Sequence, residues 1–223
     1  MFIHQHPYPP FIFPKATRLI VGTLPPPRFS QGLLRPGDVD FCYGSRDGLL
    51  WPILDRIFGL GLVYETTQEA IAQRRQFLRE QKIGICDVVE RATRQRVDAS
   101  DLGMQQIELR DLPGLLRKYP RVETLLFTGG NSKNGPEYLF RRLLRTEGLK
   151  LEPVSHEVPR IHRFYLPCER GTLREITTVS LTAPSGSANR AVGSLPEYKA
   201  RKEKDPGHTV MDFRVEQYRQ FFR

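Results

Sequence analysis

The chain alternates short, continuously apolar runs with longer segments in which apolar residues recur at helical spacing. A short apolar run bounded by turn residues is typical of a strand buried on both faces, and helical spacing is typical of an amphipathic helix. The predicted strands lie at Ala16–Thr23, Ile83–Val89, Glu123–Thr128 and Glu175–Leu181, with an additional strand over residues 161–167.

Helix ends are predicted from capping residues as well as from spacing. Thr66, followed by Glu69, has the pattern of a capping box, and Asp111 before Pro113 is typical of a helix start. The predicted helices are Leu49–Phe58, a helix from Thr66 to about Gln81, a short helix after Asp111, Pro136–Arg145, Pro196–Lys204 and Met211–Phe222, while residues 28–46 are predicted to be loop.

Strands that alternate with helices predict an α/β protein with three layers, α/β/α, around a mostly parallel central sheet. No internal repeat or linker divides the sequence, so residues 1–223 are predicted to form a single domain. Residues 1–15 are rich in proline and phenylalanine and are expected to form an extended N-terminal arm. Residues 191–223 are expected to be a C-terminal helical extension.

In a sheet of this kind, ligands bind beyond the carboxyl ends of the strands. The irregular segments predicted to lie there are Thr23–Pro27, Asp87–Thr93, Thr128–Asn134 and Ala183–Arg190. The candidate chemistry is therefore expected in these segments and in the loop at residues 40–47.

The charge of the chain favours a polyanionic partner. Lys and Arg number 34 against 25 Asp and Glu, which gives a formal net charge of +9. Two basic clusters stand out, one of Lys199, Arg201, Lys202 and Lys204, and one of Arg91, Arg94 and Arg96. Either cluster is equally explained as solvated surface, so charge alone does not identify the partner.

Several classes of protein are disfavoured by composition. The sequence has no apolar run long enough to cross a membrane and no signal-peptide pattern at its start, so a cytoplasmic location is expected. The three cysteines and five histidines are scattered rather than grouped. We therefore predict no metal, no organic cofactor and no membrane partner, and we expect a monomer.

The first two candidate segments combine a stiff loop with aromatic and acidic residues. Gly22 and Thr23 end a predicted strand before three prolines, which suits close approach of a ligand to the backbone, although a proline-stiffened connection explains the pattern equally well. In the 40–47 loop, Tyr43 is placed to stack on a flat base, and Asp47 or Asp40 to orient or activate water. Alternatively, Asp47 caps the following helix.

The other two segments are rich in glycine and small polar residues. The loop that contains Thr128 and Asn131 resembles a phosphate cradle but lacks the spacing of a nucleoside triphosphate loop, so a pocket lined by backbone remains an alternative. The segment Ala183–Arg190, called the second loop below, offers hydroxyls, backbone N–H groups and one guanidinium to a phosphate chain, although it also fits a surface turn. Its candidate DNA-binding residues are Pro184, Ser185, Gly186, Ser187, Asn189 and Arg190.

Together, these segments resemble the uracil-DNA glycosylase superfamily, and most closely its hypoxanthine-DNA glycosylase branch and the mismatch-specific relatives. Val21–Pro25 is similar to the first motif of that family, and Ala183–Asn189 is similar to the second. Tyr43, eight residues before Trp51, matches the aromatic that stacks on the extruded base. Further matches are Ile83–Val89, Asp111–Leu116 and Leu126–Gly129, and the resemblance spans roughly residues 17–190 in order.

The resemblance implies a DNA glycosylase that flips a deaminated base, uracil or hypoxanthine, and hydrolyses its N-glycosidic bond. Under it, Tyr43 stacks on the base, and groups near Thr128 and Asn131 read the base edge. N–H groups at Gly22 and Thr23 stabilise the departing base, and the second loop grips the DNA strand.

The sequence departs from the family at the positions that orient water. Leu24 stands where mismatch-specific and uracil-specific members carry Asn or Asp, and Gly48 stands where the hypoxanthine branch carries Asn. Asp47 is therefore the predicted catalytic residue, with Asp40 as the second choice. Two other functions remain open: a catalytically impaired nucleic-acid-binding member of the same fold, and an enzyme that acts on small nucleotides held by the 128–134 loop.

Overall fold

The structure, a computed structural model, describes residues 1–168 and 171–223. The strands are β1 (Phe2–Gln5), β2 (Arg18–Val21), β3 (Ile83–Ile85), β4 (Val89–Arg94), β5 (Gln105–Leu109), β6 (Thr124–Phe127), β7 (Glu152–Ser155), β8 (Arg160–Pro167) and β9 (Leu173–Ser180). The helices are α1 (Pro27–Ser30), α2 (Leu50–Phe58), α3 (Gln68–Glu80), α4 (Leu112–Lys118), α5 (Pro136–Thr146), α6 (Asn189–Gly193), α7 (Pro196–Lys204) and α8 (Val210–Phe222). Short 3₁₀ turns lie at Asp101–Gly103 and Gly186–Ala188.

The central sheet of the described residues has the strand order β3-β2-β6-β9-β8-β7. The first four strands run parallel, and β8 and β7 are antiparallel to their neighbours. A strand inside a parallel sheet is covered on both faces, which is why β2 and β6 are almost entirely apolar. The predicted mostly parallel sheet is confirmed.

Helices cover both faces of this sheet. Leu126 of β6 belongs to one buried cluster, which also contains apolar residues of α2, α3 and α8. Leu125 and Phe127, its neighbours on the same strand, point into a second cluster with residues of α4 and α5. Alternate residues of one strand thus pack into two separate hydrophobic clusters, one on each face of the sheet. The predicted α/β/α layering is confirmed.

The N-terminal segment contributes a strand, β1. β1 pairs antiparallel with β4, and β4 pairs with β5, which forms a small sheet that the sequence pattern did not predict. The prediction of one strand over Ile83–Val89 is wrong, because β3 ends at Ile85 and β4 starts at Val89. Every residue of this run is buried, so its hydrophobicity conceals the break at Asp87. For the same reason, Asp87–Thr93 is not the irregular segment that was predicted.

Two smaller predictions also need correction. The N-cap of α3 is Thr67, whose side chain accepts a hydrogen bond from the Ala70 amide, whereas the Thr66 hydroxyl donates to the carbonyl of Asp38. The predicted loop at residues 28–46 begins inside α1. The predicted cap at Asp111 is confirmed by its hydrogen bond from the Gly114 amide at 2.8 Å.

A buried carboxylate ties α5 to two strands of the sheet. Glu137 is fully buried and accepts hydrogen bonds from Ser180 Oγ at 2.6 Å, Arg160 Nη2 at 2.7 Å and Arg141 Nε at 2.8 Å. Burial by itself raises the pKa of a carboxyl, yet these donors hold the pKa of Glu137 below its ordinary value. The ionised carboxylate therefore stabilises the packing of α5 on β8 and β9.

We expect Glu137→Gln to lower the free energy of unfolding at pH 7 by about 1–3 kcal/mol, because it removes the counter-charge and a hydrogen-bond acceptor of two partly buried arginines. A carboxyl with a depressed folded-state pKa contributes stability above its unfolded pKa of about 4.3 and loses it as pH falls through the folded value. The difference between wild type and variant should therefore narrow below pH 4 in denaturant titrations. Glu175→Gln, at an exposed ion pair on β9, is the matched control and should cost under about 1 kcal/mol. Equal losses at the two sites would contradict this account.

Candidate active site

Three distant segments meet above Gly22, at the carboxyl edge of β2. Tyr43 Oη lies 3.1 Å from Asp87 Oδ1 and 3.1 Å from Thr128 Oγ1. The Gly22 amide donates to the same Asp87 oxygen at 3.0 Å. The structure therefore brings together three of the sequence-predicted site residues, Gly22, Tyr43 and Thr128, around a carboxylate that was not predicted.

Glycine is required at position 22 because the Tyr43 hydroxyl occupies the space that a side chain would need. A Cβ at this position would lie 2.2 Å from Tyr43 Oη, 2.8 Å from Asp87 Oδ1 and 3.0 Å from Thr128 Oγ1. The sequence interpretation, close approach of a ligand to the backbone, is therefore modified: the Tyr43 hydroxyl makes that approach.

Asp87 is the centre of the cluster. It is buried, and its second oxygen lies 2.9 Å from His6 Nε2. The Tyr8 amide donates to His6 Nδ1 at 3.1 Å, so the proton of the neutral ring is on Nε2 and is donated to Asp87. Burial opposes ionisation, but the His6 and Tyr43 hydrogen bonds hold the pKa of Asp87 below its ordinary value. The N-terminal arm thus completes the site.

Sequence reasoning missed both Asp87 and His6 as site residues. A usable signal was present for the first of them, since Asp87 is the only charged residue in the otherwise apolar run Ile83–Val89. A lone carboxylate in such a run must be paired when buried, and paired buried carboxylates occur frequently at functional sites. His6 lies 81 residues away in sequence, and local pattern carries no information on that contact.

Tyr43 is held in one orientation. Its backbone is left-handed, with φ of 57°, and its hydroxyl is anchored below by Asp87 and Thr128 while the ring remains partly exposed. Burial of the hydroxyl and the charge of Asp87 raise the pKa of Tyr43 well above its ordinary value, so the group stays protonated. The ring is therefore held in a fixed orientation beside Gly22.

The segment that carries Tyr43 is organised by Asp38, another buried carboxylate. Asp38 accepts two hydrogen bonds of 2.8 Å from the Arg28 guanidinium, one of 2.9 Å from the Arg35 amide and one of 2.8 Å from the Arg46 amide. Burial opposes its ionisation, but these donors lower its pKa to about 2. The irregular 35–46 backbone is therefore fixed by one side chain.

The two predicted catalytic carboxylates lie at the exposed rim of this segment. Asp47 has a side chain 68% exposed and 3.4 Å from Arg28 Nη2, and Asp40 accepts a hydrogen bond from Tyr8 Oη at 2.7 Å. Within residues 1–168 and 171–223, neither one hydrogen-bonds to Tyr43 or Thr128. The alternative interpretation of Asp47 as a helix cap is wrong, because Leu49 is the N-cap of α2 and no side chain caps it.

The second loop lies directly beside the Tyr43 segment. Ser185 forms an antiparallel bridge with Gly48, and the Leu49 amide donates to the carbonyl of Pro184 at 2.9 Å. Gly186, Ser187, Asn189 and Arg190 are exposed. Pro184 is buried and Ser185 is partly buried, so four of the six predicted DNA-binding residues are exposed beside the Tyr43 segment.

The C-terminal helix α8 holds the second loop through hydrogen bonds from Arg214. Arg214 of α8 is 1% exposed and donates to Asn189 Oδ1 at 2.7 Å and to the carbonyl of Ser185 at 3.0 Å. The side-chain oxygen of Asn189 is therefore engaged within the protein. The sequence pattern of α8 did not predict that this arginine is buried.

The loop at residues 128–134 carries one exposed cation, Lys133, and approaches an arginine that is already engaged elsewhere. The arginines near it, Arg160 and Arg141, both bind Glu137, and Arg160 Nη2 lies 3.0 Å from where a Cβ of Gly130 would be. Asn131 is exposed on this loop, three residues beyond Thr128. Glu137 therefore engages Arg141 and Arg160, while Lys133 is exposed on the loop itself.

The basic clusters of the sequence are partly internal. Arg94 is buried and donates to His4 Nδ1 at 2.8 Å, so it is not part of a solvated basic surface. Arg201 pairs with Glu216, and Lys202 Nζ donates to the carbonyl of His208 at 3.1 Å.

The described ranges contain no group of three or more His, Cys, Asp or Glu residues arranged to hold a metal ion. No helix in those ranges combines the length and hydrophobicity needed to cross a bilayer.

Comparison with known proteins supports the fold. No protein-family profile matches the sequence, and no curated protein does. The chain is similar to the solution NMR structure of a candidate uracil DNA glycosylase from Methanosarcina acetivorans, with 18% identity and a TM-score of 0.53. The match covers 96% of this chain and 99% of that one. The predicted uracil-DNA-glycosylase-like fold is confirmed, while assignment to the hypoxanthine or mismatch-specific branch stays a prediction.

Gly22→Ala tests the geometry of the site. We expect a loss of about 1–3 kcal/mol in the free energy of unfolding, because the new methyl group must displace the Tyr43 hydroxyl from Asp87 and Thr128. Chemical denaturation measures this, and the tyrosine ring signals in NMR spectra should shift. Gly193→Ala in α6 is the matched control, since nothing lies within 4 Å of its Cβ position. Equal stabilities of the two variants would refute the proposed crowding at Gly22.

Proposed function

We propose that this protein is a DNA glycosylase that flips a deaminated base, uracil or hypoxanthine, out of DNA and hydrolyses its N-glycosidic bond. The observation that carries the proposal is the convergence of Tyr43 and Thr128 on Gly22 at the carboxyl edge of the parallel strands, beside the loop at residues 183–190. A flat, anchored aromatic surface next to hydroxyl groups suits a single extruded base, because stacking and edge hydrogen bonds are how flipped bases are read.

The proposed roles in base recognition follow from this placement. The ring of Tyr43 stacks on the base, and Thr128 and Asn131 read its edge. The Gly22 amide is already bound to Asp87, so we assign stabilisation of the departing base to the neighbouring amide of Thr23.

The exposed second loop is proposed to grip the DNA backbone. Ser187, the Gly186 backbone and Arg190 face solvent and offer the hydroxyl, N–H and guanidinium groups that bind phosphates. Pro184, Ser185 and Asn189 shape the loop through Leu49 and Arg214. These contacts would offset the few kcal/mol that unstacking a base costs, roughly as in other base-flipping enzymes.

A non-catalytic DNA-binding protein is the second candidate. Leu24 is buried in the apolar core, and Gly48 is paired to the second loop through its backbone, so the two positions that depart from the family carry no polar side chain. Salt-sensitive binding to duplex DNA without base release would favour this function. Tight binding of a free nucleotide with weak DNA affinity would instead favour a small-nucleotide enzyme.

Single-turnover release of the base from duplexes with one uracil or one hypoxanthine tests the proposed function, with an undamaged duplex as the substrate control. We expect Tyr43→Ala to slow release about tenfold or more, because base stacking is worth about 1–3 kcal/mol. Tyr43→Phe keeps the ring but loses the hydrogen bonds to Asp87 and Thr128, so it should slow release less than Tyr43→Ala does. Tyr165→Ala on β8 is the control substitution and should leave the rate unchanged. No release by the wild type from either damaged duplex would overturn the proposal.

Asp47 and Asp40 remain the predicted water-orienting residues, and their exposure makes the prediction easy to test. If Asp47 orients the attacking water, Asp47→Asn and Asp47→Ala should both slow base release about a hundredfold. The assay needs saturating protein, because removal of a negative charge beside Arg28 also changes DNA affinity. Full rates in both variants would remove Asp47 from the mechanism, and the same pair of changes at Asp40 decides the second choice.

A further inference from the structure

The loop after β2 contacts a second carboxylate that none of the roles above uses. Thr23 Oγ1 donates a hydrogen bond of 2.7 Å to Oδ1 of Asp101. Asp101 begins a 3₁₀ turn on the connection between β4 and β5. Asn134 holds the same turn from the other side, with its Nδ2 bound to the carbonyls of Asp101 at 3.0 Å and Met104 at 3.2 Å. The position of Asp101 is therefore set by two loops of the candidate site.

Consecutive residues of one loop thus donate to two carboxylates with different surroundings. Asp87, which binds the Gly22 amide, is buried and also receives hydrogen bonds from His6 and Tyr43. Thr23 and Asp101 are only partly buried, so solvent can reach the pair. Asp101 is therefore the less enclosed of the two carboxylates.

Building on the proposed function, we propose that Thr23, rather than Asp47 or Asp40, binds the attacking water and that Asp101 is the positioning residue that acts through it. A threonine hydroxyl has one proton and two lone pairs. While Asp101 is ionised, it accepts the hydrogen bond that the Thr23 hydroxyl donates. The Thr23 oxygen can then only accept a hydrogen bond from a bound water molecule. The water is then oriented with an oxygen lone pair free for attack.

The hydrolytic step balances with these groups alone. The water oxygen forms a bond to C1′ of the sugar, and the C1′–N bond breaks with its electron pair left on the base. The water proton passes to Thr23 Oγ1 as the Thr23 proton passes to Asp101. Asp101 then returns a proton to solvent, and the departed base takes one up. The products are a free base and a sugar with a C1′ hydroxyl.

Burial makes Asp101 a group that titrates near neutral pH. Burial raises the pKa of Asp101 to about 6; the hydrogen bond from Thr23 and the Arg94 guanidinium limit the rise, and the charge of Asp87 adds to it. Arg94 is shared, since it also lies 3.7 Å from Asp98 and donates to His4. Asp101 is therefore ionised at pH 7.5, is a stronger base than an ordinary aspartate, and becomes protonated below about pH 6.

The test is single-turnover base release between pH 5 and 8 at saturating protein. The wild-type rate should fall as pH drops through about 6. Asp101→Asn and Thr23→Val should each be about tenfold slower at pH 7.5 and lose this inflection, because the first removes the titrating group and the second removes its link to water. Thr23→Ser keeps the hydroxyl and should restore both rate and inflection. Wild-type rates and an unchanged inflection in Asp101→Asn or Thr23→Val would overturn the proposal.

A second measurement separates this proposal from the proposed function. In carbon-13 NMR titrations of the Asp101 carboxyl, Thr23→Val should raise the Asp101 pKa, since the lost hydrogen bond favours the ionised form. An unchanged pKa would refute the Thr23–Asp101 pair even if the wild type releases base. Absence of base release at every pH would refute glycosylase activity and with it the role in water binding, whatever the carboxyl titration shows.

Discussion

The carboxylate of Asp87 is the constraint on which the site depends. A fully buried charge is costly unless several donors satisfy it, and Asp87 obtains them from His6 of the N-terminal arm, Gly22 at the end of β2 and Tyr43 of the 35–47 segment. These groups fit together only because Gly22 has no side chain. One requirement, that a buried carboxylate be paired, therefore fixes the arm, the first loop and the aromatic surface relative to each other.

The same solution recurs around the carboxyl edge of the sheet. Asp38 orders the segment before Tyr43, Glu137 ties α5 to β8 and β9, and Arg214 of α8 holds the second loop at Ser185 and Asn189. Loops have weak intrinsic preferences, so rigid placement of their side chains must come from such buried polar contacts. Preorganised groups of this kind are what base recognition and hydrolysis require, because they need no reorganisation when the substrate arrives.

Local pattern was informative wherever local physics dominates. The apolar runs of β2 and β6, the cap at Asp111 and the helical spacing of α2 and α5 all express interactions between near neighbours in sequence, and the structure confirms them. The pattern failed at residues 83–94, where uniform burial conceals the end of one strand and the start of another in a different sheet. It also failed for Arg94, whose charge suggested surface although its guanidinium is buried against His4.

By itself, the sequence determined the α/β class, the order of its main elements, and the segments in which function was to be sought, because periodicity, caps and turn residues act over a few positions. Of the candidate site, it identified Gly22, Tyr43 and Thr128. Only the tertiary structure decided that these three residues meet and that Asp87, paired with His6, accepts the Tyr43 hydrogen bond. It also decided that Asp101 binds Thr23, whereas Asp47 is exposed. The physical reason is that a buried hydrogen bond between residues 44 to 85 positions apart leaves no periodic trace in the chain.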